Sequence, residues 1–318
     1  MIEVKDLVKK YGSHLAVDHL SFTLESGKIY GFLGPNGAGK STTMNIMTGY
    51  LGATNGSVLI DGHDILKEPE EAKKQIGYLP ELPPLYMDMT VQEYLEFAAE
   101  LKKLPKEKRE SDISEVMKLT RLQDVSGRLI KNLSKGYKQR VGLAQAILGF
   151  PEIIILDEPT VGLDPKQIIE IRELIRTLSK KHTVILSSHI LAEVREVCDY
   201  ILIISKGKLV ASDTPENLEL LRNGASSLEL EVKAAPETAR AILSTIDDID
   251  AMEMHSENEN LTRVKLETKN GADIREAVFY AFAEEKCPLL EMKTAKASLE
   301  DIFMELTQKE ESNDAGNL

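Results

Sequence analysis

The spacing of hydrophobic positions changes along the chain, and the changes mark out its parts. Ile2 to Lys9 and Ala16 to Leu24 alternate apolar with polar, which predicts paired strands, and Tyr11-Gly12-Ser13 between them is turn chemistry. Ser57-Val58-Leu59-Ile60-Asp61-Gly62 predicts another strand and turn, so a small antiparallel sheet is expected. Ile29 to Leu33, Ile153 to Leu156, Thr183 to Ser187 and Tyr200 to Ser205 are instead short, unbroken apolar runs. Runs of that kind predict strands buried on both faces, as in a parallel sheet.

Between these runs the period becomes helical. Val91, Tyr94, Leu95, Ala98 and Leu101 recur on one face, and Thr90 with Glu93 forms a capping box. Ile113 to Leu122 and Lys138 to Leu148 predict two further helices, so residues 85–150 form a helical insert in an α/β core. Pro80-Glu81-Leu82-Pro83-Pro84 stops regular structure just before it. Ile168 to Lys180 is another expected helix.

After Asn223-Gly224 the texture shifts again. Leu228 to Val232, Pro236 to Ile246, Ala251 to Met254, Leu261 to Leu266, Asp273 to Lys286 and Leu289 to Lys293 read in the order βαββαβ, a ferredoxin-like pattern. A last helix is expected over Ser298 to Gln308. The expected domains are thus 1–224, 225–309 and a disordered polar tail, 310–318.

Composition narrows the options. The 318 residues allow two domains, and 42% hydrophobic with 29% charged is ordinary globular usage. A net charge of −13 argues against non-specific nucleic-acid binding. Residues 228–311 hold 10 basic and 20 acidic residues, so the second domain carries most of that excess. Cys198 and Cys287 have no metal or redox spacing and read as buried, inert thiols. The chain start lacks a signal pattern and no apolar run approaches the ~20 residues of a membrane span. A soluble, cytoplasmic protein is expected, and work at a membrane would need another chain to supply the span.

The chemistry gathers around Gly34-Pro35-Asn36-Gly37-Ala38-Gly39-Lys40-Ser41-Thr42, which fits G-x-x-x-x-G-K-[ST] between a buried strand and a helix. Its glycines let backbone N–H groups point inward as an anion nest, and the helix adds its N-terminal dipole. Lys40 is expected to reach the β- and γ-phosphates of ATP and Ser41 to ligate Mg²⁺. Asp157 and Glu158 close one buried strand and His189 follows another. Ligands of open α/β sheets bind beyond the carboxyl ends of strands, so these residues should converge. Asp157 then holds Mg²⁺, Glu158 polarises a water, and His189 either bonds the γ-phosphate or caps a helix. Tyr11 is placed either to stack on a base or to pack at a strand end.

Leu133-Ser134-Lys135-Gly136-Tyr137-Lys138-Gln139-Arg140 resembles the L-S-G-G-Q signature of ATP-binding cassette (ABC) ATPases. The resemblance covers residues 1 to about 220, with the motifs in that family's order. It implies a P-loop NTPase with a RecA-like core, an antiparallel β subdomain and a helical subdomain, followed here by the small α+β domain. It further implies Tyr11 as the adenine-stacking aromatic, Gly162-Leu163-Asp164 as the D-loop and His189 as the switch histidine. Ser134 and Gly136 would meet the nucleotide of a second cassette, so two copies sandwich two ATP. Lys135, Tyr137 and Glu81 depart from the usual Gly, Gln and Gln. At Glu81 a carboxylate can still ligate Mg²⁺ or contact the attacking water. At Lys135 a left-handed backbone would cost about 1 kcal/mol.

These variants, with the ending Ser298 to Thr307, resemble cassettes of ABC-2-type exporters, which imply a membrane permease docking at Leu85, Tyr86 and Met87. The alternative is a soluble ABC ATPase acting on ribosomes or nucleic acid, which the acidic balance opposes.

Overall fold

Continuous apolar runs become the core sheet. In this computed structural model, which describes residues 1–220, 227–258, 261–269, 272–295 and Phe303, contacts divide the chain into Met1–Thr214 and Pro215–Leu318. The sequence boundary at Gly224, the helix expected over Ser298 to Gln308 (Phe303 apart) and the tail lie outside the described residues.

The first unit holds a six-stranded sheet in the order Lys208–Asp213, Tyr200–Ser205, Ile29–Leu33, Thr183–Ser188, Ile153–Leu156, Ile76–Leu79. All neighbours are parallel except the first pair. Ile29–Leu33, Ile153–Leu156 and Thr183–Ser188 are buried at every position, as their unbroken apolar sequence requires. A second, antiparallel sheet sets Ile2–Tyr11 between His14–Leu24 and Asn55–Ile60, with His63–Asp64 at its edge. Ile2, Val4, Leu7, Val58 and Ile60 bury one face of it in the same core as Phe32, Met44 and Ile155.

The helical insert contains Val91–Leu101, Lys106–Leu119 and Lys135–Ile147. Thr90 caps the first with the capping box its sequence announces. The third begins earlier than its periodicity suggests, because Ser134 is its N-cap and accepts a bond from Tyr137 N. Lys135 is therefore the first helical residue and is absent from the positive-φ positions, so the condition under which lysine would be strained there is not met.

The second unit has an antiparallel sheet in the order Ile249–Asn258, Leu261–Thr268, Ser227–Val232, Leu289–Ala295. Helices Pro236–Leu243 and Arg275–Glu284 cover one face with Ile242, Leu243, Val278 and Phe282. Leu228, Leu230, Val264 and Leu266 meet them from the sheet. Cys198 is buried as expected, and burial pushes its thiol far up. Cys287 is only half-buried, a correction to the sequence reading, because it follows the end of a helix rather than lying inside one.

Candidate functional site

A cleft of about 450 Å³ opens where the strands of the first unit end. The strand Ile29–Leu33 delivers the phosphate loop, whose residues Asn36 to Thr42 line the cleft. Gly39 has φ 104°, and a Cβ there would lie 2.5 Å from Ala16 O, so only glycine fits. Gly34 and Pro35 do not line the cleft; their carbonyls instead accept bonds from Lys40 Nζ at 2.7 and 3.2 Å. Burial pulls the Lys40 ammonium below its ordinary value, and Glu158, Asp157 and Glu81 oppose that in part.

Glu81, exposed after the edge strand Ile76–Leu79, reaches the same cleft. Asp157 lies behind Ser41, whose hydroxyl donates to Asp157 Oδ1 at 3.2 Å. Ser187 Oγ donates to that oxygen at 2.5 Å and accepts from Glu158 N at 2.8 Å. One serine thus ties together the ends of two neighbouring strands. Glu158 has φ 47°, a strained conformation for a side-chain-bearing residue, and its carboxylate lines the cleft. His189 Nδ1 lies 3.1 and 3.0 Å from the two Glu158 oxygens.

Tyr11 lines the opposite rim, 48% exposed, with the Lys9 ammonium 5.2 Å from its ring centroid. His14, Ala16 and Val161 also line the cleft and were not singled out in the sequence. His14 could have been found, since it pairs with Tyr11 across the two-residue turn. Ser187 was missed because its role exists only once two strands are adjacent.

Ser134, Gly136 and Asp164 are not brought into this cleft. They form a second cluster. A Cβ on Gly136 would lie 2.3 Å from Gln167 Oε1, and Asp164 caps the helix Pro165–Leu178 by accepting from Gln167 N at 2.9 Å. Lys135 Nζ sits against Gly162, where a Cβ would lie 2.0 Å away. Arg140 of the signature helix donates to Glu170, which also accepts from Arg121 at 2.6 Å. The signature segment is thereby fastened to the helix that follows the D-loop.

A third feature is an apolar groove of about 500 Å³ between the Pro84-to-Tyr86 segment and Val91–Leu101, lined by Leu85, Tyr86, Tyr94, Phe97, Leu101 and Gln145 among others. Tyr86 packs edge-on to Phe97 at 5.3 Å yet stays 55% exposed. Met87 is exposed beside the groove and outside its lining. Its carbonyl is turned away to accept from Lys131 N at 3.0 Å.

A phosphate loop at one strand end, with a carboxylate pair and a histidine at the next two, defines a P-loop ATPase of the cassette type. Residues 17–161 match the ABC transporter family. The Bacitracin transport ATP-binding protein BcrA of Bacillus licheniformis is 35% identical over 96% of this chain and 97% of its own. The Linearmycin resistance ATP-binding protein LnrL of Bacillus subtilis is 30% identical over 96% and 98%. The solved ATP-binding subunit of an ABC transporter superposes with a TM-score of 0.64 at 32% identity, covering 70% of this chain and 92% of that one. A dimeric cassette in a post-hydrolysis state with ADP and Pi gives 0.62 at 27% identity, covering 67% and 98%.

The chain belongs to the ABC transporter family, as the ATP-binding and ATP-hydrolysing subunit of an exporter-type system. The alternative of a ribosome- or nucleic-acid-directed ATPase is set aside, since these relatives are transport and resistance proteins. Among the described residues no helix is long and apolar enough to cross a membrane, and subunits of this kind work with membrane permeases and dimerise.

Proposed function

We propose that two identical copies of this chain close on two ATP molecules at the inner face of the cell membrane and so drive a separate ABC-2-type permease. The observation that carries this is the convergence of Lys40, Asp157, Glu158 and His189 at adjacent strand ends. Lys40 and the loop amides bind the β- and γ-phosphates. Glu158 takes a proton from a water whose oxygen attacks the γ-phosphorus, and the bridging oxygen leaves with the bond pair on ADP. His189 orients that carboxylate from within hydrogen-bond distance. Tyr11 stacks on adenine from the rim.

The all-oxygen donors Ser41 and Asp157, with Glu81 near, fit Mg²⁺, which favours one or two carboxylates plus substrate phosphates. When bound it neutralises charge on the transferring phosphoryl group.

Ser134, Gly136 and Asp164 lie away from their own cleft, as residues serving the nucleotide of the opposite copy would. The groove at Leu85 and Tyr86 receives a short apolar helix of the permease, and Glu81 at the base of that segment passes closure to it. The cargo class follows the relatives, whose names speak of bacitracin and linearmycin.

The test is Lys40→Ala beside Glu158→Gln. The first should lose ATP binding. The second should bind ATP, hydrolyse it at least about a hundredfold more slowly, and accumulate as a closed dimer on gel filtration with ATP. Near-normal turnover by Glu158→Gln would remove it from the catalytic role.

A further inference from the structure

Among the described residues, the face of the second unit's sheet opposite its two helices carries charges in a register that fits a second copy of itself. Leu228, Leu230, Val232, Val264 and Leu266 point to the helix-covered side and are buried, so the residues between them face outward. Strand pairing sets these in three rows, of which two hold most of the charge and the third runs Ala251, Glu267, Ser227, Ala295. In the first, Glu253 is opposite Lys265, Lys265 opposite Glu229, and Glu229 opposite Lys293. In the second, His255 is opposite Arg263, Arg263 opposite Glu231, and Glu231 opposite Glu291. The first row reads acid, base, acid, base. The second reads imidazole, base, acid, acid; Glu231 and Glu291 lie across from each other, but Glu231 pairs with Arg263 at 3.2 Å and Glu291 with Lys293 at 3.9 Å within the chain.

A two-fold axis sets these rows against a second copy without like charges meeting. Let it run parallel to the strands, midway between Leu261–Thr268 and Ser227–Val232, with the copies stacked face to face. Each row then meets its own reverse. Glu253 meets Lys293 of the second copy, and Lys265 meets Glu229. His255 meets Glu291, and Arg263 meets Glu231. In these two rows every juxtaposition pairs an acid with a base or an imidazole; in the third, Glu267 meets Ser227 and Ala251 meets Ala295, so no like charges meet. A closed two-fold interface must be self-complementary in this sense. An arbitrary charge lattice of two rows has no reason to be.

We propose that this face is an interface between two copies of this chain, formed by stacked second-unit sheets about that axis. It needs no nucleotide and no residue of the cleft, so it goes beyond the pairing of cassettes over ATP. Exposed ion pairs are individually weak. The interface therefore acts mainly by holding two copies together between rounds of ATP closure, raising their effective concentration.

The test is sedimentation velocity of the full chain without nucleotide. At about 0.05 M salt the wild type should self-associate, and at about 0.5 M it should weaken at least about tenfold, since a short Debye length screens exposed pairs. Arg263→Glu with Lys265→Glu places like charges across the axis and should lose association at least about tenfold. Glu229→Lys with Glu231→Lys should do the same. An equal mixture of these two variants should regain it, because each then faces its complement.

The milder pair Arg263→Gln and Glu231→Gln should weaken association about threefold and lessen its salt dependence without removing it. A second series with ATP reads cassette closure on the same proteins, which should persist in the charge variants but require a higher protein concentration than in wild type. A wild type that stays monomeric without nucleotide overturns the proposal. So do charge variants that associate like wild type, or a mixture that stays apart although both partners keep wild-type circular dichroism and ATP binding. A failure of ATP-driven dimerisation alone would instead count against the paired-cassette reading.

Discussion

Ser187 shows how a side chain outside the recognisable motifs can set the site. Its hydroxyl donates to Asp157 Oδ1 and receives the Glu158 amide, so it fixes two acidic residues from the next strand. Hydrogen bonds to charged groups contribute about 1.5–3 kcal/mol. Ser187→Ala should therefore lower kcat about tenfold while ATP affinity stays near wild type, read by steady-state hydrolysis and equilibrium nucleotide binding. A loss confined to ATP affinity would mean that Ser187 acts on binding instead. Glu158 adds a second local constraint. Its left-handed φ of 47° turns the carboxylate toward His189, at a cost the surrounding strands must hold in place.

Helices and strands convey these constraints. Lys102, just past Val91–Leu101, donates to Ala146 O and Leu148 O at the end of the signature helix, at 3.1 and 2.8 Å. Burial pulls its ammonium down to about 8 from 10.5. Between those values the unfolded chain keeps a proton that the folded chain has released. The contribution of Lys102 to stability is therefore lowest below pH 8 and rises with pH across that window. The denaturation midpoint of wild type should gain on that of Lys102→Met between pH 7.5 and pH 10, about the span over which the amine titrates. A constant difference would contradict the depressed value. Lys102 also lines the groove with Tyr86. Tyr86→Asp should spare ATP binding by the purified subunit and uncouple transport in membranes carrying the permease. Full transport by this variant would place docking elsewhere.

The two compact units suggest a division of labour. The cleft, the signature cluster and the groove all belong to Met1–Thr214, and the second unit has its own buried core. A chain ending at Asn223 should bind ATP within about threefold of the full chain, measured by calorimetry. Loss of binding would show that the first unit does not stand alone. The same truncation removes the charged sheet face, so it should also abolish nucleotide-free association.

The phosphate loop, the carboxylate pair and the four-strand pattern of the second unit were legible in the sequence because each depends on contiguous residues. A glycine spacing, an apolar run or a period of two is local chemistry, and distant residues need not be known to read it. The strand Lys208–Asp213 and the helix Leu191–Val197 were not foreseen. The strand has no fully buried position to betray it and is defined by pairing with Tyr200–Ser205 through the Lys206-Gly207 turn, both residues at positive φ.

The start of the signature helix was set by Ser134 capping it, which makes Lys135 the first residue of regular helix, a position the period of the later residues does not reveal. By itself the sequence determined the family, the core strands and the chemistry of the phosphate loop. Tertiary structure alone decided which residues meet: Ser187 with Asp157, His189 with Glu158, Lys135 with Gly162, and the rows of charge across the second sheet. Those meetings depend on strand order and register, which arise from burial summed over many distant residues rather than from any one stretch of chain.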